Sequence, residues 1–291
     1  MLAMGPIPKA PKPAKDKRTH DEEVALWDLG DFQGSKVTTT YNSQVMIERV
    51  MRYCDKAHKI TEIQRAAHPV RRCWIIFGGA QVKGLFNYPT QPFEIDSSLF
   101  GQFVTVSRLM VDVVKYALSI YDEVTVVAEW GNHGRIGSKR SVVPRSDNVD
   151  RMTYELSRQL LANEERLTWD DCPEDIQRLE VGNYRALVIH GDEIGRNGYA
   201  ARQTITNHVV KWQSGSYRID GVPWLFRDCY AHHHHTHAEE PLANGEGAVY
   251  WCGSPESDNR YARDNLAAAA IPSQRLHFID PDAGRVAASY L

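Results

Sequence analysis

No run of apolar residues in this 291-residue chain approaches the 18 or more that a membrane-spanning helix requires. The first residues lack the apolar core of a secretory signal, so a cytoplasmic location without a membrane partner is expected. Cysteine is scarce. Cys54, Cys73, Cys172, Cys229 and Cys252 are odd in number, far apart and never spaced C-x-x-C, which argues against a disulfide framework or a zinc ribbon and for reduced, mostly buried thiols. A large net charge is also missing: at −3 the chain has no global attraction for nucleic acid, and polyanion binding must come from local basic patches. There is no internal repeat and no strong domain boundary.

What is present fits one soluble, enzyme-sized domain, since 42% hydrophobic and 24% charged residues suffice for a substantial core. The domain is expected over residues 21–291, after a Lys/Pro-rich tail of residues 1–20 whose Pro6, Pro8, Pro11 and Pro13 alternate with Lys9, Lys12, Lys15, Lys17 and Arg18. Such a segment should stay extended and mobile, as a solvated leader or a DNA-touching arm. The most informative feature follows the apolar run Val124 to Ala128: Glu129-Trp130-Gly131-Asn132-His133-Gly134-Arg135. There an amide oxygen and an imidazole stand where a strand gives way to a loop, the place where sheet enzymes put their chemistry. Asn offers a neutral oxygen ligand and His a nitrogen ligand or a proton, while the glycines allow a tight turn. Three other runs end the same way: Val24 to Leu29 into Gly30-Asp31-Phe32-Gln33, Val181 to Ile189 into His190-Gly191-Asp192, and Phe226 to Ala231 into His232-His233-His234-His235-Thr236-His237.

The periodicity between these runs alternates as in a layered α/β protein. It predicts helices from Asn42 or Ser43 to about Ala67, from Ser97 or Ser98 with Phe103, Val106, Met110 and Val114 inward, from about Asn148 to Ala162, and around Tyr199 to Trp212. Strands are expected at Cys73 to Phe77, Ala186 to Ile189, Ala248 to Trp251 and Leu276 to Ile279. Arg135, Lys139, Arg140 and Arg145 follow the Gly-Asn-His segment, and the first three are candidate contacts for a substrate phosphate.

The ordered set Asp31-x-Gln33, Gly79-Ala80, Gly131-Asn132-His133, His190-Gly191-Asp192 and His233-x-His235 resembles the calcineurin-like metallophosphoesterases. Within them it looks like the phage and archaeal branch related to the double-strand-break repair nuclease and to archaeal DNA polymerase small subunits. The likeness spans about residues 24 to 285. It includes Ser35-Lys36-Val37-Thr38 with Tyr41-Asn42, Gly84 with Tyr88-Pro89 and Gln91, and Gly253-Ser254-Pro255. The resemblance implies a four-layer fold, a central β-sandwich flanked by helices, and a two-metal site, usually manganese, with zinc or magnesium as other candidates. Asp31, Gln33 and His235 would then serve one ion and Asn132, His190 and His233 the other. His133 would be the acid that protonates the leaving oxygen or steadies the phosphate charge. DNA, a replication or repair protein and a second copy of the chain are the partners it implies.

The sequence departs from that pattern at three positions. Ala80 stands where the bridging carboxylate is expected, Lys83 where an acidic residue is often found, and Gln33 where the first motif has His. One ion, two or none are therefore compatible with the motifs, the first position being the degenerate one. Asp28 is an alternative to Asp31 as first-motif ligand. The additional His232, His234 and His237 are read as surface residues, the other reading being that they partly replace lost ligands. Two functions of different class follow: a metal-dependent DNA nuclease, or a catalytically silent scaffold subunit of a replication or repair assembly. An Asp-to-Ala substitution made to trap substrate ranks third, because it leaves Lys83 and Gln33 unexplained.

Overall fold

The computed structural model describes residues 7–137, 143–170, 174–194, 201–243, 245–257 and 271–291. In chain order the main elements are β1 (Val24–Leu29), α1 (Ser43–Gln64), β2 (Arg72–Gly78), α2 (Leu99–Ile120), β3 (Glu123–Glu129), α3 (Val149–Leu160), β4 (Leu167–Trp169), β5 (Ile176–Val181), β6 (Tyr184–Ile189), α4 (Ala201–Lys211), β7 (Arg218–Ile219), β8 (Val222–Pro223), β9 (Asp228–Ala231), β10 (Ala238–Pro241), β11 (Ala248–Trp251), β12 (Arg275–Asp280) and β13 (Gly284–Tyr290). One sheet has the order β13-β12-β1-β2-β3-β4 and the other β10-β11-β9-β6-β5, with β7 and β8 forming a separate ribbon.

Both sheets are buried on two faces, which explains why their central strands read as continuous apolar runs. In β1, Ala25, Trp27 and Leu29 join the core beneath α1, α2 and α3, while Val24 and Leu26 face the second sheet with Ile76, Val127, Leu179, Val188 and Tyr230. On the far side Leu187, Ile189, Cys229 and Trp251 pack against Ile205 and Val209 of α4. The result is a four-layer α/β architecture, helices outside and two sheets face to face. Asn42, Ser98 and Asn148 cap α1, α2 and α3 by accepting backbone N–H bonds from Val45, Gly101 and Asp150. No helix among the described residues is long and apolar enough to cross a membrane.

The architecture positions a site because β1, β2 and β3 run parallel, as do β6, β9 and β11. The loops after β1, β2, β3, β6 and β9 therefore carry Asp31, Ala80, Asn132, His190 and His233.

Several elements differ from expectation. The run 181–189 is not one strand: Val181 ends β5 and Tyr184 begins β6, with Gly182 at φ +60 in the turn between them. Gly182-Asn183 is the two-residue turn between them, and the strand expected at Ala186 to Ile189 is present, begun two residues earlier at Tyr184. The first helix ends at Gln64 rather than near Ala67, and α4 passes into a π-turn over Trp212–Ser216, while Tyr199 lies outside the described residues. The short β4, β7, β8 and β10 and the C-terminal β13 carry too little pattern to be foreseen. Four cysteines are free and buried, as expected, and Cys172 lies outside the described residues.

The Lys/Pro-rich segment is extended but not free between residues 7 and 11. Ala10 is buried, its N–H donates to Glu164 Oε1 at 2.5 Å, and Lys9 Nζ lies 2.8 Å from Glu165. The Arg166 guanidinium donates to the carbonyls of Ala10 and Pro11, both at 3.3 Å. Proline leaves these carbonyls without a local N–H partner, so a neighbouring arginine can dock the strand, which composition does not reveal.

Candidate metal centre

The backbone of the site loops is held in an uncommon conformation. Asp31 (φ 52), Gln33 (φ 47), Ala80 (φ 49), His233 (φ 73) and His235 (φ 56) are non-glycine residues in the left-handed region. Such residues persist where the surroundings over-determine them. Two loops interlock so closely that a Cβ on Gly131 would fall 1.8 Å from the Ala80 nitrogen.

Asp150, in the first turn of α3, supplies the clamp. Its buried carboxylate accepts from the N–H groups of Gln81 (3.0 Å), Val82 (3.1 Å) and Gly131 (2.9 Å), and Asn148 Nδ2 donates to the Gly131 carbonyl at 2.8 Å. Burial raises the Asp150 carboxyl to about 7 against the pull of those N–H donors. A raised carboxyl pKa contributes stability that is present below the unfolded value and lost as pH rises through the folded one. Asp150→Asn should therefore flatten the decline of unfolding free energy between pH 4 and 7.5 relative to the wild type, read by urea titration at several pH values. An unchanged slope would show that the carboxylate is not under this burial stress.

His190, Asn132 and His233 meet at one half of the site. His190 Nδ1 donates to the Gly78 carbonyl at 2.8 Å, and burial outweighs the nearby Asp31 in pulling its pKa down to about 4, so the ring is neutral at pH 7. A neutral ring with its proton on Nδ1 presents a lone pair at Nε2. That lone pair faces Asn132 Oδ1 at 2.9 Å, while the Asn132 amide Nδ2 donates to the Tyr88 hydroxyl at 2.9 Å. With the amide in this orientation, two acceptor atoms converge on one point. The His233 ring stands 5.2 Å from that of His190, centroid to centroid.

Asp31, Gln33 and His235 form the other half. Asp31 Oδ2 accepts the His233 backbone N–H at 2.8 Å, and its Oδ1 lies 3.2 Å from His235 Nε2. Burial alone would raise the Asp31 carboxyl, but His235, then His190 and His232, hold it well below the usual carboxylate range. His235 Nδ1 lies 2.8 Å from Glu256 Oε2, and Lys36 pairs with the same carboxylate. Burial lowers the His235 pKa, but the carboxylates of Asp31 and Glu256 outweigh it and push it up to about 9. A metal ion taking Nε2 must displace a proton, so uptake of a second ion here, in Ala80→Asp, should strengthen between pH 6.5 and 8.5 in a metal titration. A pH-independent affinity would exclude His235 as a ligand. Gln33 Nε2 lies 2.9 Å from His235 Nε2 and 3.3 Å from His133 Nε2.

His133 sits against Lys83 and Gln91. Its Nδ1 lies 3.3 Å from both the Lys83 carbonyl and the Gln91 amide nitrogen. Burial, then Lys83 and Lys36, drive its pKa well below the ordinary histidine value. The expected proton donor is thus a neutral ring, and an imidazolium acid is disfavoured at pH 7.

The histidine run divides three ways. His237 is exposed and His234 half-buried, but His232 is not a surface residue: it is buried, its Nε2 lies 2.8 Å from Asp28 Oδ1, and its Nδ1 lies 3.2 Å from the Ile189 carbonyl. Asp28 faces inward between the sheets and is spent on this pair, while Asp31 turns toward His235. Among the described residues, the one trio of His, Cys and acidic side chains with ligand atoms within 4.8 Å of one another is Asp28, His232 and Cys252. Burial pushes the Cys252 thiol well above its usual value, and its Sγ donates to the Asp28 carbonyl at 3.2 Å. The trio is a self-paired core cluster. Asp31, His190, His233 and His235 make no such trio, since no three of their ligand atoms lie within 4.8 Å of one another.

Arg135, expected on a phosphate, is paired instead with Asp192, which also holds Arg145 at 3.0 Å. Arg145 further pairs with Glu193 at 2.9 Å, and Glu193 Oε1 accepts the His190 N–H at 3.0 Å. A buried carboxylate nearby captures a guanidinium more readily than an exposed loop does, and the sequence spacing of Asp192 gave no sign of it. Lys139 and Arg140 lie outside the described residues. Sequence reading also missed Asp150, Glu256 and Tyr88 as supports. Only Tyr88 had a signal, as part of the Tyr-Pro motif.

Against known proteins, the sequence matches no family model and no curated protein. Among solved structures it is similar to a novel archaeal phosphodiesterase at 12% identity, covering 92% of this chain and 99% of that one with a TM-score of 0.44. It is similar to zinc-complexed Vps29 from Entamoeba histolytica at 10% identity, covering 92% and 98% with a TM-score of 0.38. A predicted phosphoesterase from Streptococcus pneumoniae is 10% identical over 92% and 97% of the two chains with a TM-score of 0.34.

Proposed function

We propose that this chain is a metal-dependent phosphodiesterase of the calcineurin-like type, acting on DNA. The observation that carries the reading is the pair of lone pairs, His190 Nε2 and Asn132 Oδ1, brought to 2.9 Å with their other atoms already satisfied. Burying two acceptors face to face is costly unless a cation joins them. The spacing is that of neighbouring ligands around one ion, and the Nδ1 bond to Gly78 is the outer support that fixes a ligating tautomer.

The donor set fits one divalent ion at Asn132, His190 and His233, with manganese favoured by the family resemblance and zinc compatible with two imidazoles. It fits a second ion poorly. Asp31 and His235 remain, but Ala80 supplies no bridge, and Gln33 contributes only an amide. When bound, such an ion polarises the scissile phosphate and readies water for in-line attack. The chain's own part is to orient: Tyr88 fixes the Asn132 amide, Gly78 the His190 ring, and Glu256 the His235 ring. A silent scaffold subunit is the second reading, and Ala80 is the observation that favours it.

Metal content and manganese-dependent cleavage of labelled single- and double-stranded DNA test the reading, with Ala80→Asp as comparison. Wild-type protein should carry close to one ion per chain, and Ala80→Asp should approach two and cleave about tenfold faster or more, because a shared carboxylate offsets repulsion between the ions. No metal and no cleavage in the wild type, with activity confined to Ala80→Asp, would establish the scaffold reading instead.

A further inference from the structure

The loop that has lost its expected carboxylate at Ala80 carries an ammonium three residues on, and the fold turns that ammonium inward. Lys83 is buried, its side chain 5% exposed, and its backbone is locked by an N–H bond to the Gly34 carbonyl at 2.9 Å and by Gln91 donating to its own carbonyl. The His133 ring rests against that same carbonyl, 3.3 Å away, so the lysine stem is rooted in the wall of the candidate centre. A buried ammonium is costly without a partner. Lys83 has one, Glu94 at 2.8 Å, but the Glu94 side chain is 41% exposed and sits at the rim.

The second lysine here is placed differently. Lys36 pairs with Glu256, whose side chain is 1% exposed and is already engaged by His235. That chain of buried partners commits Lys36 to holding His235. Lys83 hydrogen-bonds Glu94, a solvated carboxylate that a competing anion can replace, and feels the buried Glu256 only through space.

We propose that Lys83 is a phosphate-binding residue of this centre, exchanging Glu94 for a substrate phosphate oxygen and supplying from the chain the positive charge that an ion at the Asp31 half would otherwise bring. This deepens the phosphodiesterase reading and rests on it for the identity of the substrate, but anion binding by Lys83 requires neither metal nor turnover. An ammonium beside a desolvated phosphate makes a charge-assisted hydrogen bond, stronger than the same contact in water. The neutral Gln33 and Ala80 leave Asp31 as the carboxylate of the first two motifs that faces the centre, which lowers the repulsion met by an incoming dianion.

Inorganic phosphate titrated calorimetrically into the full chain, once in chelator and once with manganese, tests this. Phosphate should bind in chelator, Lys83→Met should weaken it about tenfold or more, and Lys83→Arg should stay within about threefold, with folding checked by circular dichroism. Glu94→Gln, a change at a half-exposed position, should tighten phosphate binding by releasing the ammonium; this variant decides the matter if Lys83→Met does not fold. Equal affinity in wild type and Lys83→Met, weaker or unchanged binding in Glu94→Gln, or no phosphate binding by the wild type each overturns the proposal. Phosphate binding lost in Lys83→Met from a wild type that takes no metal and cleaves nothing would keep Lys83 and sink the phosphodiesterase reading. Metal-dependent cleavage indifferent to Lys83→Met would do the reverse.

Discussion

Replacing His190 by alanine is expected to abolish metal binding and cleavage together, with a loss of at least about a hundredfold in metal affinity, since even outer-shell partners are worth about 10- to 100-fold. The side chain sits at the end of β6, buried, with Nδ1 on Gly78 and Nε2 on the Asn132 oxygen, so removing it deletes one of the two converging acceptors. A folding readout makes the result independent of substrate choice. Free metal at a hundred times its Kd stabilises a protein that binds it only when folded by about 2.7 kcal/mol. Wild-type melting should therefore shift upward with manganese, and His190→Ala should show no shift. A variant that keeps both its ion and its shift would place the metal elsewhere, and the reading built on the converging lone pairs would fail.

The second large effect concerns a residue that makes no ligand at all. A Cβ built on Gly78 falls 2.0 Å from His232 Cε1 and 2.1 Å from its Nε2, and one on Gly30 falls 2.4 Å from Cδ2 of the same ring. The ring cannot move aside, because Asp28 and the Ile189 carbonyl hold its two nitrogens in a buried slot. Two glycines therefore form the floor and roof of a slot that only a flat ring fills. Gly78→Ala should cost more than about 4 kcal/mol, an exceptional value for one methyl group. Against a typical total of about 5–15 kcal/mol, that leaves little soluble protein at 37 °C. Pairing it with His232→Ala and Asp28→Asn, which clears the slot without stranding a buried charge, should recover part of the loss. Wild-type stability in Gly78→Ala, measured by chemical denaturation, would show that the slot is not as tight as its geometry.

These two positions mark what each level of description could supply. The ligand loops were legible in the chain because each follows a buried strand: Val124 to Ala128, Val24 to Leu29 and Phe226 to Ala231 are apolar runs whose endings stand out by chemistry. The helices beginning at Ser43, Leu99 and Val149 were legible for the same local reason, a cap followed by helical spacing. The strands β10 and β13 were not, since their pairing is decided by partners far along the chain, whereas the hairpin joining β5 to β6 carried a local signal in Gly182-Asn183.

Within the candidate site, residue types alone pointed to Asn132, His190, His233 and His235, which the fold sets on neighbouring loops, and they also exposed the departures at Gln33, Ala80 and Lys83. Both Asp28 and Asp31 follow the same apolar run, and the spacing to Lys36, Thr38 and Tyr41-Asn42 favours Asp31. In the fold, Asp28 points between the sheets to His232, while the left-handed turn after Leu29 swings Asp31 toward His235. Elsewhere, spacing made Arg135 a phosphate contact and His232 a surface residue, whereas packing gave the first to Asp192 and the second to a buried ion pair. Sequence determined which chemistry is available and in what order along the chain, because hydrophobic period and residue type are local properties. Only the tertiary structure decided which charges meet. Asp150, Glu256 and Lys83 come from α3, a C-terminal loop and the β2 loop, and a charge acts on a neighbour through distance and burial rather than through position in the chain.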